Sequence, residues 1–291
     1  MVGKVNIAEK TFMSQHLLSA SYLAAAKSTF ANLLNRICSE KVNKQQLVVG
    51  INGCQGSGKS TLADYLVMQL DNVAGLSALA LSLDDFYYTA AERLDLAKSI
   101  HPLLATRGVP GTHDLNLAIN TLNSLQAQQP TFIPRFNKAI DDRADVDSNI
   151  KPSQNVDVVI LEGWCLGLKP QTDADLRIPI NALEATKDAK GVWRRYVNQS
   201  LDRYQPLFEK MDISVMLKAP NFDCVYQWRL EQEQKLHVSS SGNKIMSPEQ
   251  ITRFLQFFQR LTQHALATYP SQVDYLYCLN NQRKVEQVLE Q

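Results

Sequence analysis

Between residues 47 and 70 the chain reads LVVGINGCQGSGKSTLADYLVMQL: an apolar run of β type, then glycines, a lysine and two hydroxyls, then apolar residues at helical spacing. No other stretch restricts the fold as much. Gly53, Gly58, Lys59 and Ser60 match G-x-x-x-x-G-K-[ST], with a strand before and a helix after as that pattern requires. Residues Gly53, Cys54, Gln55, Gly56, Ser57, Gly58, Lys59, Ser60 and Thr61 are therefore expected to wrap the phosphates of ATP. A loop that approaches an anion so closely has little room for Cβ atoms, and its backbone amides and the following helix N-terminus point at negative charge. Lys59 is expected to reach the β and γ phosphates, and the Ser60 hydroxyl to hold Mg²⁺.

A strand that runs through such a loop into a helix belongs to an α/β fold, and the rest of the chain agrees. LSALALSL at 76 to 83, VDVVILEGW at 156 to 164, ISVMLKAP at 213 to 220 and VDYLYCL at 273 to 279 read as further strands. The third of the five is apolar almost throughout, as in a parallel sheet covered on both faces. Residues 10 to 40 read as helix, and Asp114 caps another with Leu115, Ala118, Ile119 and Leu122 on one side. SPEQITRFLQFFQRLTQHAL opens on Ser247, Pro248 and Gln250, a capping box with proline at the first helical position. Strands alternating with helices predict a doubly wound, mainly parallel sheet of about five strands with helices on both faces. Residues 1–44 read as an N-terminal helical extension and 45–291 as the main domain, with surface loops at 128 to 155 and 236 to 247.

Composition narrows the classes. Thirty basic residues stand against twenty-nine acidic ones, so the chain lacks the basic surface of a nucleic-acid binder. Five scattered cysteines without a C-x-x-C pair fit reduced thiols in cytoplasm, and no transition-metal spacing occurs among the histidines. The segment LLSASYLAAA at 17 to 26 is too short and too polar for a leader and reads as helix, and no apolar run approaches the ~18 residues of a membrane span.

The carboxylates decide what the phosphate loop is for. Asp84 and Asp85 follow the second strand at the sheet edge where ligands bind, and Asp84 is expected to meet the reacting hydroxyl. Asp85 reads equally as a turn residue or cap. Glu162 closes the strand VVILEG, where an acid suits a Mg²⁺ ligand better than a core position. N-K-x-D is missing, since NKAID at 137 to 141 has one residue too many, which argues against a GTPase.

GCQGSGKST, SLDDFY, HPLLATRGVPGTHD, IPRFNKAIDDRADV, VILEGWCLG, YQPLF, APNFDCVYQWRLEQEQKL and SPEQITRFLQFFQRLTQH together resemble the plant-type D-glycerate 3-kinase family. That family lies within the P-loop kinases related to uridine kinase, phosphoribulokinase and bacterial pantothenate kinase. The resemblance implies transfer of the ATP γ-phosphoryl to the 3-hydroxyl of D-glycerate, with Asp84 in the place of the presumed base. A glycerate carboxylate calls for a cation, best an arginine. Arg107, Arg135 and Lys138 are candidates, with His113 and Tyr87 beside the acceptor. Arg229 reads equally as a helix-surface ion pair with Glu231 or Glu233. The resemblance also implies a lid over about 185–205 whose Arg194 and Arg195 neutralise phosphate charge. After the last strand, where the chain departs from the family, Arg283 is the candidate to stack on adenine. Two other readings stay open: a kinase for pantothenate, a nucleoside or another metabolite, and a nucleotide-binding regulatory protein without turnover.

Overall fold

The computed structural model describes residues 6–145, 155–239 and 246–291, with the side chains of 232–239 set aside. Three helices come first, α1 Ile7–His16, α2 Ala20–Thr29 and α3 Ala31–Lys41, each short because a capping side chain or a left-handed residue ends its neighbour: Asn6 caps α1, Leu17 ends it, and Ser19 opens α2. Then follow β1 Leu47–Gly53, α4 Lys59–Gln69, β2 Ala78–Ser82, α5 Ala90–Ser99 and α6 Leu115–Gln126. A small hairpin, β3 Phe136–Asn137 with β4 Asp142–Arg143, precedes β5 Val158–Gly163. The chain continues through α7 Ala182–Lys187, α8 Val192–Phe208, β6 Ile213–Lys218, α9 Asp223–Ser239, α10 Pro248–Thr268, β7 Tyr275–Leu279 and β8 Val285–Glu290.

Six strands form the main sheet in the order β2-β5-β1-β6-β7-β8. The first five are parallel and β8 returns antiparallel to β7. Both β1 and β5 are buried at every position, as their unbroken apolar runs require. Alternate residues feed opposite layers: Val159 and Leu161 pack toward α6, α8 and α10, whereas Val158 and Ile160 pack toward α3, α4 and α9. The N-terminal helices join the second layer through Phe12, Leu23, Phe30, Leu33 and Ile37, and Phe12 lies 5.9 Å from the Tyr65 ring of α4.

Three expectations need correction. The sheet has a sixth strand, β8, in the stretch kept for base contacts; its residues are mostly exposed, so it lacks the apolar run that marks a buried strand. Residues 136–143 form a hairpin rather than plain loop, although 146–154 lie outside the described residues. Residues 236–239 continue α9, while 240–245 lie outside. Asp114, Ser247 and Gln250 cap α6 and α10 as expected. Among the described residues no helix is long and apolar enough to cross a membrane.

Candidate active site

The carboxyl ends of β1, β2 and β5 lie side by side, and each delivers one part of the site. Register does this: Ser82 of β2 and Ile51 of β1 both face Glu162 of β5 across the sheet. The phosphate loop leaves β1 at Gly53, and α4 starts with Gly58 as its cap in the left-handed region (φ 96°), with no side chain capping its amides. A Cβ on Gly58 would meet nothing within 4 Å, so this part of the loop is an open cradle with free donors. Gly56 is glycine for another reason. At φ 77° its Cβ would sit 2.7 Å from Cβ of Trp228, so packing against α9, rather than a bound anion, forbids a side chain there. Burial pushes the Cys54 thiol up to about 12, so the loop carries no thiolate to repel phosphate.

At the start of α4 the Ser60 hydroxyl donates to Glu162 Oε1 at 2.8 Å, and Lys59 Nζ stands 3.7 Å from Oε2. A hydroxyl and a carboxylate are the hard oxygen donors magnesium takes, with the remaining positions left to phosphate and water. Among the described residues no group of three or more His, Cys, Asp or Glu is placed to hold a metal.

Beyond β2 the chain makes a 3-10 turn, Leu83–Phe86, opened by the Ser82 hydroxyl accepting from the Asp84 amide. The turn aims the two aspartates at different partners. Asp85 accepts from Arg135 at 2.7 Å and from the Phe136 amide at 3.1 Å, and so bolts β3 to the sheet edge. Asp84 accepts from the Tyr87 hydroxyl and from Lys138 Nζ, both at 2.7 Å. Burial would raise the Asp84 carboxyl, but the ammonium groups of Lys138 and Lys59, with the two hydrogen bonds, hold it well below the usual carboxylate range. Lys138 is raised in turn by Asp84, against its own burial. Ser60, Asp84, Asp85, Arg135, Lys138 and Glu162 line one cleft of about 430 Å³.

His113 is joined by a single antiparallel bridge to Tyr87, whose hydroxyl donates to Asp84 of the cleft. Its ring packs 4.5 Å from that of Tyr87, its Nδ1 contacts the Tyr204 hydroxyl at 2.6 Å, and its buried Nε2 has no hydrogen-bond partner among the described residues. Burial pushes the imidazole down to about 4, so it is neutral at physiological pH. Arg107 donates to Asp141 and lies 5.3 Å above the Phe136 ring.

The two lid arginines part company. Arg194 is 3% exposed and donates to the carbonyls of Leu176 and Asp188, each at 2.7 Å, and to the Asp188 carboxylate at 3.1 Å. It staples the start of α8, so the expectation that it faces phosphate is corrected. Its spacing on the helix, shared with Trp193 and Val197, points it inward. Arg195 is exposed and bonds the Lys190 carbonyl at 2.8 Å. Arg283 lies 5.8 Å over Trp228 and pairs with Glu231, and Arg229 lies 5.4 Å over the Phe254 ring. Trp228 thus backs Gly56 with its Cβ and backbone and carries Arg283 over its ring.

Sequence reasoning missed Arg93, Asp141, Arg143 and Tyr204. Arg143 donates to the Tyr87 carbonyl at 3.1 Å and to Asp114 at 3.0 Å. A charged residue on a short helix or hairpin reads as surface, and nothing local signals that a turn folds back over it. The run IPRFNKAIDDR was the one available sign, because four of its five charges, Arg135, Lys138, Asp141 and Arg143, pair with groups outside the run.

No family model matches the chain. An uncharacterised kinase of Schizosaccharomyces pombe is 34% identical, over 83% of this chain and 85% of its own length. The chloroplastic D-glycerate 3-kinase of Arabidopsis thaliana is 31% identical over 72% of this chain, which spans 45% of the plant protein. Among solved structures, a D-glycerate 3-kinase from Cryptococcus neoformans superposes with a TM-score of 0.75 at 25% identity, covering 90% of this chain and 99% of the other.

Proposed function

The chain belongs to the family of P-loop kinases that includes D-glycerate 3-kinase, and we propose that it transfers the γ-phosphoryl of ATP to the 3-hydroxyl of D-glycerate. The observation that carries the acceptor reading is the charge around Asp84. Lys138 touches it, Arg135 touches its neighbour Asp85, and Arg107 lies close enough to bias both Tyr87 and Lys138 electrostatically. Such a pocket suits a small anionic alcohol.

The same geometry disfavours a nucleoside acceptor, because the aromatic residues that would stack its base are already engaged. Trp164 is buried, donates to the Gly108 carbonyl at 2.8 Å and packs on Phe258. Tyr87 is packed between His113 and Phe136.

In this reading Gly53 to Thr61 cradle the polyphosphate, Lys59 neutralises the transferring group, and Ser60 with Glu162 hold Mg²⁺, which supplies charge stabilisation to the phosphate oxygens. Asp84 orients the 3-hydroxyl. As the new O–P bond forms and the bond to the leaving ADP oxygen breaks, the hydroxyl proton passes to Asp84. A carboxylate held so strongly ionised is a weak base, which suits a loose transition state where positioning counts more than early deprotonation. Tyr87 and His113 line the acceptor side, with Arg107, Arg135 and Lys138 for its carboxylate. Arg195 is the member of the lid pair, within about 185–205, left exposed for phosphate, and Arg283 with Trp228 borders the base. Residues 1–44 act as an extension bracing α4 of the kinase domain 45–291, and free cysteines support a reducing cytoplasmic setting.

The test is ADP release with Mg²⁺ and ATP against D-glycerate, L-glycerate, uridine and pantothenate. Turnover confined to D-glycerate supports the proposal. Turnover with another acceptor, or ATP binding without turnover on any, rejects it.

A further inference from the structure

Arg107 is held by a second arginine it never touches. Arg93 of α5 is 1% exposed and donates in four directions: to the Tyr88 carbonyl at 2.9 Å, to the Ala105 carbonyl at 3.3 Å, and to Asp141 through both its carbonyl at 2.9 Å and its Oδ2 at 2.7 Å. Asp141 gives its other oxygen, Oδ1, to Arg107. The Ala105 bond fixes the strand of loop two residues before Arg107, so Arg93 secures both the backbone that carries Arg107 and the carboxylate that grips its guanidinium. Phe136 completes the clamp, with Arg93 at 5.6 Å and Arg107 at 5.3 Å from its ring centre. Asp141 holds a left-handed turn position (φ 57°), which aspartate tolerates better than most residues.

We infer that Arg93 and Asp141 are positioning residues whose task is to present Arg107 to the acceptor carboxylate, an inference that rests on the acceptor reading above. An arginine side chain carries substantial rotamer freedom, and freezing it in advance lowers the cost of binding an anion. Arg107 makes no other hydrogen bond among the described residues, so its remaining N–H groups are available to a carboxylate. Asp141 occupies one end of the guanidinium fork and leaves the other free for the substrate.

The experiment compares kcat and KM for D-glycerate, for uncharged glycerol as acceptor and for ATP, in the wild type, Asp141→Asn, Arg107→Ala and the double variant. Asp141→Asn is expected to raise the glycerate KM about tenfold through lost orientation, while glycerol kcat/KM and the ATP KM stay unchanged. Adding Asp141→Asn to Arg107→Ala is expected to have no further effect on glycerate. An unchanged glycerate KM in Asp141→Asn, or equal losses with glycerol and ATP, overturns the inference alone. A wild type that does not prefer glycerate to glycerol overturns the acceptor reading as well.

Discussion

The hydroxyl of Ser60, one residue past the phosphate-loop lysine, donates to the carboxylate of Glu162, which closes a strand about a hundred residues later, at 2.8 Å. The pair brings two elements of the sheet to one point, and its chemistry is that of a shared cation. Glu162→Gln keeps the size and the hydrogen bond but loses the charge. The Mg²⁺ concentration giving half-maximal rate is expected to rise about 10- to 100-fold, read from a Mg²⁺ titration at saturating ATP. An unshifted midpoint removes Glu162 from the metal site.

Asp84→Asn is expected to lower kcat by about 10² to 10⁴ while ATP affinity, measured by calorimetry, stays within a few-fold. Its neighbour makes a subtler test. Lys138 is the largest influence holding the Asp84 carboxyl down, so Lys138→Met is expected to move the acidic limb of the kcat/KM profile to higher pH. A limb that stays in place means that Asp84 does not govern it.

Stability should depend on pH through His113. Its folded value is about 4 against 6.5 when unfolded, because burial opposes the charged ring. The unfolded chain therefore takes up the proton first as pH falls. The contribution is complete above pH 6.5, declines between 6.5 and 4, and is level below; the loss is of the order of 3 kcal/mol. Denaturant unfolding at a series of pH values should show this decline in the wild type and a flatter curve in His113→Gln. Parallel curves would contradict it.

Gly56→Ala places a methyl against Trp228 and keeps a left-handed backbone, and each strain is of the order of 1 kcal/mol or more. A drop in Tm of several degrees with weakened ATP binding is expected. If the variant melts as the wild type does, Trp228 yields freely and does not brace the loop.

Much of this architecture was legible because its signals are local. The phosphate loop, the buried strands β1 and β5, and the caps Asp114 and Ser247 each depend on residues within a few positions of one another. Asp84 and Glu162 were legible because an acid ending an apolar strand has few structural uses. The clamp of Arg93, Asp141 and Arg107 was not, since its members come from a helix, a hairpin turn and a loop, and only the tertiary fold joins them. Arg194 misled for the opposite reason: the resemblance implied a lid arginine facing phosphate, whereas helical periodicity turned this one into the core.

The strand that leads into the phosphate loop lies in the middle of the sheet, and its two neighbours are β5 and β6. Leu47 pairs with Val158, and Val49 with Ile213. During synthesis the loop leaves the ribosome before either bracing strand. Until β5 and β6 arrive, the apolar strand β1 lacks both of its sheet neighbours and is exposed to wrong partners. The N-terminal helices, already made and already packing on β1 and α4 in the finished fold, are the natural cover for that interval.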